Sequence, residues 1–156
     1  MKKIYLLSTF IFISIAASAQ IVNIPDPAFK TYLLQFEPTI DTNHDGEIQL
    51  SEAQAVTSLY INNPSSYFFD LTGLEAFTNL TGLGFSYMAI ANFNPSTLTR
   101  LQNLYCNDVD NLGVLDLSGL VTLRDINVRH CQITSLNLSG LTNLSSLNCS
   151  ENPITA

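Results

Sequence analysis

From Leu59 onward apolar residues come in pairs two positions apart, and the pairs return at nearly fixed intervals. They are Leu59/Ile61, Leu83/Phe85, Leu104/Cys106, Ile126/Val128 and Leu147/Cys149, spaced 24, 21, 22 and 21 residues apart. Alternation with a period of two marks a strand with one buried face, the residue between the pair pointing the other way. Each pair therefore predicts a short strand. One such strand cannot bury its apolar face alone, whereas stacked copies make a continuous core. Between the strands a second motif returns as LDLSGLVTL from Leu115 and LNLSGLTNL from Leu136. DLTGLEAFTNL from Asp70 and FNPSTLTRL from Phe93 are looser versions.

Aligned in full, LTGLGFSYMAI from Leu80, LQNLYCNDVDNL from Leu101, LRDINVRHCQI from Leu123 and LSSLNCSENPI from Leu144 share the skeleton LxxLxLxxNxL. A repeat of 20–29 residues with this skeleton is the signature of a leucine-rich repeat. The prediction is an α/β leucine-rich repeat solenoid over 59–156, with short parallel strands in about five rungs. The turn asparagine, represented by Asn152, can satisfy backbone groups inside the bend where water does not reach. Cys131 occupies the equivalent place, and the turn after Cys106 carries one extra residue, so an incomplete ladder with irregular turns is expected. Cys106 and Cys149 fall two rungs apart, ~10 Å at the usual strand spacing and beyond disulfide reach. With Cys131 on a turn, all three cysteines are expected as free, buried thiols.

Ahead of the repeats the pattern changes. Asp26 followed by Pro27 reads as an N-cap and first helical residue, and Phe29, Tyr32, Leu33 and Phe36 follow at helical spacing. A helix over 27–36, ended by Pro38, is predicted, with a second short helix opened by Ser51 and Glu52. Residues 20–58 are thus expected to form a small helical cap. The first nineteen residues, MKKIYLLSTFIFISIAASA, carry two lysines, an apolar run and small residues before Gln20. This is the pattern of a cleaved secretory signal peptide, and the run is shorter than the ~20 apolar residues of a membrane-spanning helix. The expected location is secreted or cell-surface.

Between the two helices lies DTNHDGEIQLSE. Counting Asp41 as position 1, side-chain oxygens fall at Asp41, Asn43, Asp45, Gln49 and Glu52. Gly46 holds position 6, the Glu47 carbonyl is available at 7, and Ile48 is the apolar residue at 8. This matches the EF-hand loop D-x-[DN]-x-[DN]-G-x5-E at each required place. A hard cation needs about seven oxygens, glycine makes the sharp turn, and the final Glu closes the shell. Ca2+ is the expected cofactor, held by Asp41, Asn43, Asp45, Glu47, Gln49 and Glu52. Only one loop is present and EF-hands usually pair, so a structural clamp is expected rather than a sensor.

Residues 59–156 resemble the secreted leucine-rich repeat proteins of Bacteroidetes-type bacteria, with their NLTxLxCSxNxLTxLDLSGL units. In layout the chain also resembles the internalin family, a small helical cap followed by short repeats. The resemblance implies that the EF-hand-like cap shields the first repeat.

Composition narrows the partners. Charged residues are only 12% of the chain, and loss of the first nineteen would leave four basic residues against thirteen acidic ones, a net charge of about −9. That balance opposes nucleic acid and anionic membranes. The open face of the predicted sheet carries Tyr60, Asn62, Gly84, Ser86, Tyr105, Asn107, Asn127, Arg129, Asn148 and Ser150. Tyrosines, amides and one arginine suit hydrogen bonding and stacking with a protein or glycan. His44 and His130 show no nucleophile or carboxylate partner in the sequence, and no phosphate loop or nucleophile elbow is present, so no enzyme is expected. The expected function is a binding module. The alternatives are a structural spacer and the N-terminal accessory region of a larger secreted protein or enzyme. No polar repeat covers the last rung, so either a longer parent chain or a covered end is expected.

Overall fold

The computed structural model describes residues 20–36, 39–62, 68–91 and 93–155. The expected signal peptide at 1–19 and Pro38 lie outside them. In chain order the elements are α1 (Pro27–Leu34), α2 (Leu50–Ala55), β1 (Ser58–Asn62), β2 (Phe68–Asp70), a 3-10 turn (Leu74–Ala76), β3 (Gly82–Ala91), β4 (Asn103–Asp110), β5 (Val114–Asp116), β6 (Asp125–Asn127), β7 (Ser135–Asn137) and β8 (Ser146–Asn148).

All strand pairs are parallel, in the order β1-β3-β4-β6-β8, with β2 beside the second half of β3. Five strands stacked over four turns make a solenoid. The sequence intervals are the register itself: Leu59 pairs with Leu83, Leu83 with Leu104, Leu104 with Ile126, and Ile126 with Leu147. Leu59, Ile61, Leu83, Phe85, Leu104, Cys106, Ile126 and Val128 are buried, as the alternation requires. Before each strand the backbone steps from rung to rung through equal bonds. The amides of Thr81, Gln102, Arg124 and Ser145 donate to the carbonyls of Thr57, Thr81, Gln102 and Arg124, each at 2.8 Å.

The second motif is a side-chain-built turn. Asp70, Asn94, Asp116 and Asn137 each accept the amide two residues on, that of Thr72, Ser96, Ser118 and Ser139, at 2.9–3.1 Å. Gly73, Gly119 and Gly140 follow with φ of 104°, 83° and 83°, where a side chain would strain the backbone. The turns at Asp116 and Asn137 also pair their preceding residues, β5 with β7, into a small second sheet that the sequence pattern did not predict.

At the bends the expected irregularity is present and has two forms. Asn152 works as expected: Oδ1 accepts Cys131 and Ile133 N–H at 2.9 and 3.0 Å, and Nδ2 donates to the Val128, Cys149 and Ser150 carbonyls. Cys131 substitutes a thiol, donating to the Cys106 carbonyl at 3.0 Å. The first two bends hold apolar Met88 and Val109 there, and the strands simply continue through, Met88 pairing with Val109 and Ala89 with Asp110. At one equivalent point of each bend Tyr87, Asp108, His130 and Glu151 take φ of 53–58°, and Gln132 adds a second such residue, φ 56°, to the third bend. The extra residue after Cys106 shows as Asn111 at φ 69°.

The N-terminal segment closes the first rung. Asp26 Oδ1 caps α1 through the amides of Ala28 and Phe29, while its Oδ2 accepts the Asp70 amide of β2 at 2.9 Å. Phe29 and Leu33 enter the core. The helix ends at Leu34, two residues short of the expected boundary, because the Gln35 amide is shared between the Thr31 and Tyr32 carbonyls and Phe36 bonds Leu33, a 3-10 tightening of the last turn. The second helix begins at Leu50, not Ser51. Gln49 is its N-cap, in a capping box with Glu52. The cysteines are free: Cys106 and Cys131 are buried, but Cys149, on the last described rung, is only half-buried.

Candidate functional site: the open sheet face and the cap loop

Alternation sends every second residue of the sheet outward. The register arranges those residues in three rows across the five rungs. Tyr60, Gly84, Tyr105, Asn127 and Asn148 form the middle row. Asn62, Ser86 and Asn107 begin the second, which Arg129 and Ser150 continue at the same offset beyond β6 and β8. A third row, Ser58, Gly82, Asn103, Asp125 and Ser146, was missed by sequence reasoning. It precedes each leucine pair by one residue, so the same period of two could have found it.

The face has internal relief. Tyr60 leans across β3, and the edge of its ring from Cδ1 to the hydroxyl occupies the space that side chains at Gly84 and Gly82 would fill. A Cβ on Gly84 would lie 2.7 Å from Tyr60 Cδ1. Beyond the glycines the Tyr105 ring lies 6.4 Å away, centroid to centroid, and within 25° of parallel. Tyr60 is 46% exposed. Partial burial, with a smaller push from Tyr105, raises its phenol above the ordinary value. Asn127, next along the row, has a buried Oδ1 with no hydrogen-bond partner among the described residues. Arg129 is not a free charge, since its Nε and Nη2 both donate to Glu151 Oε1 at 2.9 and 2.7 Å. His130, contrary to the sequence expectation, does have a carboxylate partner, Asp108 at 2.7 Å, one rung away through the parallel register. No nucleophile joins them: neighbouring Cys131 points inward, and burial pushes its thiol up to about 11.

The cap loop is folded by its own polar groups. Asp41 accepts the amides of Asp45 and Gly46 at 3.2 and 3.0 Å, and Asp45 Oδ1 accepts that of Glu47 at 2.9 Å. The Glu47 amide is the main reason the Asp45 carboxyl titrates below its ordinary value, with Gln49, Asn43 and the charge of Lys30 acting in the same direction. Gly46 has φ 80°, and its position is otherwise open, so backbone conformation alone demands glycine. Ile48, loop position 8, is buried, and its carbonyl accepts the Val22 amide at 2.8 Å while Leu50 donates to Gln20 at 2.7 Å. Residues 20–22 thus form a short antiparallel bridge with the end of the loop.

The donor set suits a hard cation in type, and half of it converges. Asn43 Nδ2 and Gln49 Nε2 lie 3.0 and 2.8 Å from Asp45 Oδ2, so the ends of three side chains meet at one point. Turning either amide over exchanges its nitrogen for its oxygen there. Glu52 is engaged elsewhere: Oε1 accepts the Thr42 amide and hydroxyl at 2.8 Å and Oε2 accepts the Gln49 amide. Lys30 meets Glu47 at 2.6 Å on the loop's rim. Among the described residues no three His, Cys, Asp or Glu side chains are grouped for metal binding. The side chains are of the type that calcium takes, while Asp41, Glu47 and Glu52 are each engaged with partners inside the chain.

The fold is shared with solved proteins. The structure is similar to an internalin, inlF, from Listeria monocytogenes str. 4b F2365, with a TM-score of 0.62, 20% identity, and 92% of this chain matched to 49% of that one. It is also similar to internalin C2, inlC2, from the same organism, with a TM-score of 0.56, 23% identity, and 90% of this chain matched to 72% of that one. The fold is that of the internalins. This chain spans about half the length of inlF. The likeness lies in the internalin fold and not in shared side chains, as the identities show. No family model matches the sequence, and no curated protein does. No helix among the described residues is long and apolar enough to cross a membrane.

Proposed function

We propose that the chain is a secreted or cell-surface leucine-rich repeat module that binds a protein or glycan on the open face of its sheet, with a calcium ion in loop 41–52 stabilising the cap. The role is binding, not catalysis. The observation that carries it is the outward array itself: three registered rows of tyrosine, amide and hydroxyl side chains on a rigid parallel sheet, with the near-parallel rings of Tyr60 and Tyr105 at one end. Many aligned side chains can meet one large ligand at once. The fold shared with internalins supports export and ligand capture by analogy of architecture.

Binding is tested by probing arrays of extracellular proteins and glycans with residues 20–156 and with Tyr105→Lys and Asn127→Lys. Signals lost in both variants but kept in Val114→Lys, on an exposed residue of the second sheet, are expected. Signals equal in all three remove the open face from the function. Calcium is tested by calorimetric titration and paired melts with calcium and with chelator. A ligand specific to the folded state, at a hundredfold excess over its dissociation constant, adds ~2.7 kcal/mol of stability. The expected rise disappears in Asp41→Ala, and no heat at millimolar calcium sinks the clamp.

A further inference from the structure

We infer that the open face takes a neutral oligosaccharide, its sugar rings lying against Tyr60 and Tyr105. The inference rests on the open-face reading above and narrows its ligand class. Two observations carry it.

The first is the apolar content of the face. Of the outward side chains in the three rows, none is aliphatic, so the rings of Tyr60 and Tyr105 are the apolar surface of those rows. A protein partner wants a desolvated apolar centre. A sugar needs less: flat C–H faces to lie on an aromatic ring, and amides and hydroxyls to meet its own hydroxyls. Asn62, Asn103, Asn107, Ser58 and Ser86 flank the rings in that way. Asn127 Oδ1, with no donor of its own, gains one from a sugar hydroxyl when the amide turns outward.

The second is charge. Arg129 is neutralised by Glu151, which leaves Asp125 as the unpaired charge among the outward rows. A face so nearly neutral offers no complement to a phosphorylated or sulfated ligand.

Gly82 and Gly84 set the attitude of the platform, because only there can the Tyr60 ring cross β3 towards Tyr105. A methyl group at position 82 meets the far end of that ring, so Gly82→Ala tilts Tyr60 without removing an atom of it.

The test is affinity electrophoresis of residues 20–156 through gels containing hydroxyethylcellulose, laminarin, mannan, xylan or galactomannan, with melting temperatures recorded for every variant. Retardation in at least one gel is expected. It should weaken tenfold or more in Tyr60→Ala and Tyr105→Ala, several-fold in Gly82→Ala, and not at all in Val114→Ser on the second sheet, with melting temperatures unchanged. Retardation that persists in both tyrosine variants overturns the platform. No retardation in any gel, together with capture on the protein array that Tyr105→Lys abolishes, overturns the sugar and leaves open-face binding standing. No retardation and no face-dependent capture overturns both.

Discussion

The first two bends of the solenoid and the last two meet the same demand by different means. At Asn152 a side chain satisfies five backbone groups of its own and the neighbouring rung. At Met88 and Val109 no side chain can, and β3 and β4 pair backbone to backbone through the bend instead. Cys131 stands between the two solutions, its thiol reaching the Cys106 carbonyl across one rung. Both halves keep a left-handed residue at the same point of the bend, from Tyr87 to Glu151. The need is for satisfied backbone groups, and the residue at the turn position is free to change if something else meets that need.

The largest effect that separates the halves is expected from Asn152→Leu. It orphans the amides of Cys131 and Ile133 in a bend with no alternative ladder, at about 1–3 kcal/mol for each unsatisfied group. A loss of about 3 kcal/mol or more in a urea melt is expected. The same substitution logic run backwards, Val109→Asn, inserts an amide where the strands already pair, and should cost about 1–3 kcal/mol by burying polar groups without partners. If Val109→Asn proved neutral, the first bends would be able to accept the side-chain solution, and the contrast would be one of history rather than packing.

Cys131→Ala should fall next, at about 1–2 kcal/mol, for one thiol hydrogen bond and a small cavity. Its thiol also reports on the bend. With the proton held up to about 11, Cys131 should resist alkylation near neutral pH until the chain unfolds, whereas the half-buried Cys149 should react first. Mass mapping of alkylated peptides checks the order, and early modification of Cys131 would show that the lower bends open locally.

Legibility followed the same division. The strand pairs, their register and the turn asparagine were readable because burial at a period of two leaves a direct trace in Leu83, Leu104 and Ile126. The continuation of β3 and β4 through their bends was not, because Met88 and Val109 register in the sequence only as a departure from the Asn pattern, with no sign of what replaces it. The β5–β7 sheet was hidden for a related reason: its three-residue strands sit inside the motif that reads as a turn. In the cap, the sharp turn at Gly46 was legible from spacing. The bridge from residues 20–22 was not, because it is a backbone contact between segments more than twenty residues apart. The aromatic pair depends on rung order, which spacing supplied, and on the lean of Tyr60 over two glycines, which only the structure shows.

The smallest effect is the sharpest comparison, because the chain contains its own control. Asp116 and Asn137 occupy the same place in successive copies of the turn, and each accepts a serine amide two residues on, at 2.9 and 3.0 Å. Only the aspartate titrates. Hydrogen bonds from the Ser118 hydroxyl and amide, with a smaller one from Asn137, hold its carboxyl below the ordinary value. A carboxyl lowered by folding contributes stability above its unfolded value and loses it as pH falls through the folded one. The wild-type chain should therefore lose a small increment from this turn on entering the acid range, and Asp116→Asn should keep the turn and lose that dependence. The difference between the two melting curves should be near zero at neutral pH and grow below the usual carboxylate range in favour of the variant. Asp116 is fully exposed, so the effect is expected to be no more than a slight flattening of the acid limb. A variant that is less stable at neutral pH by as much as it gains in acid would mean that the charge of Asp116, and not the shared turn geometry, is what the repeat retains there.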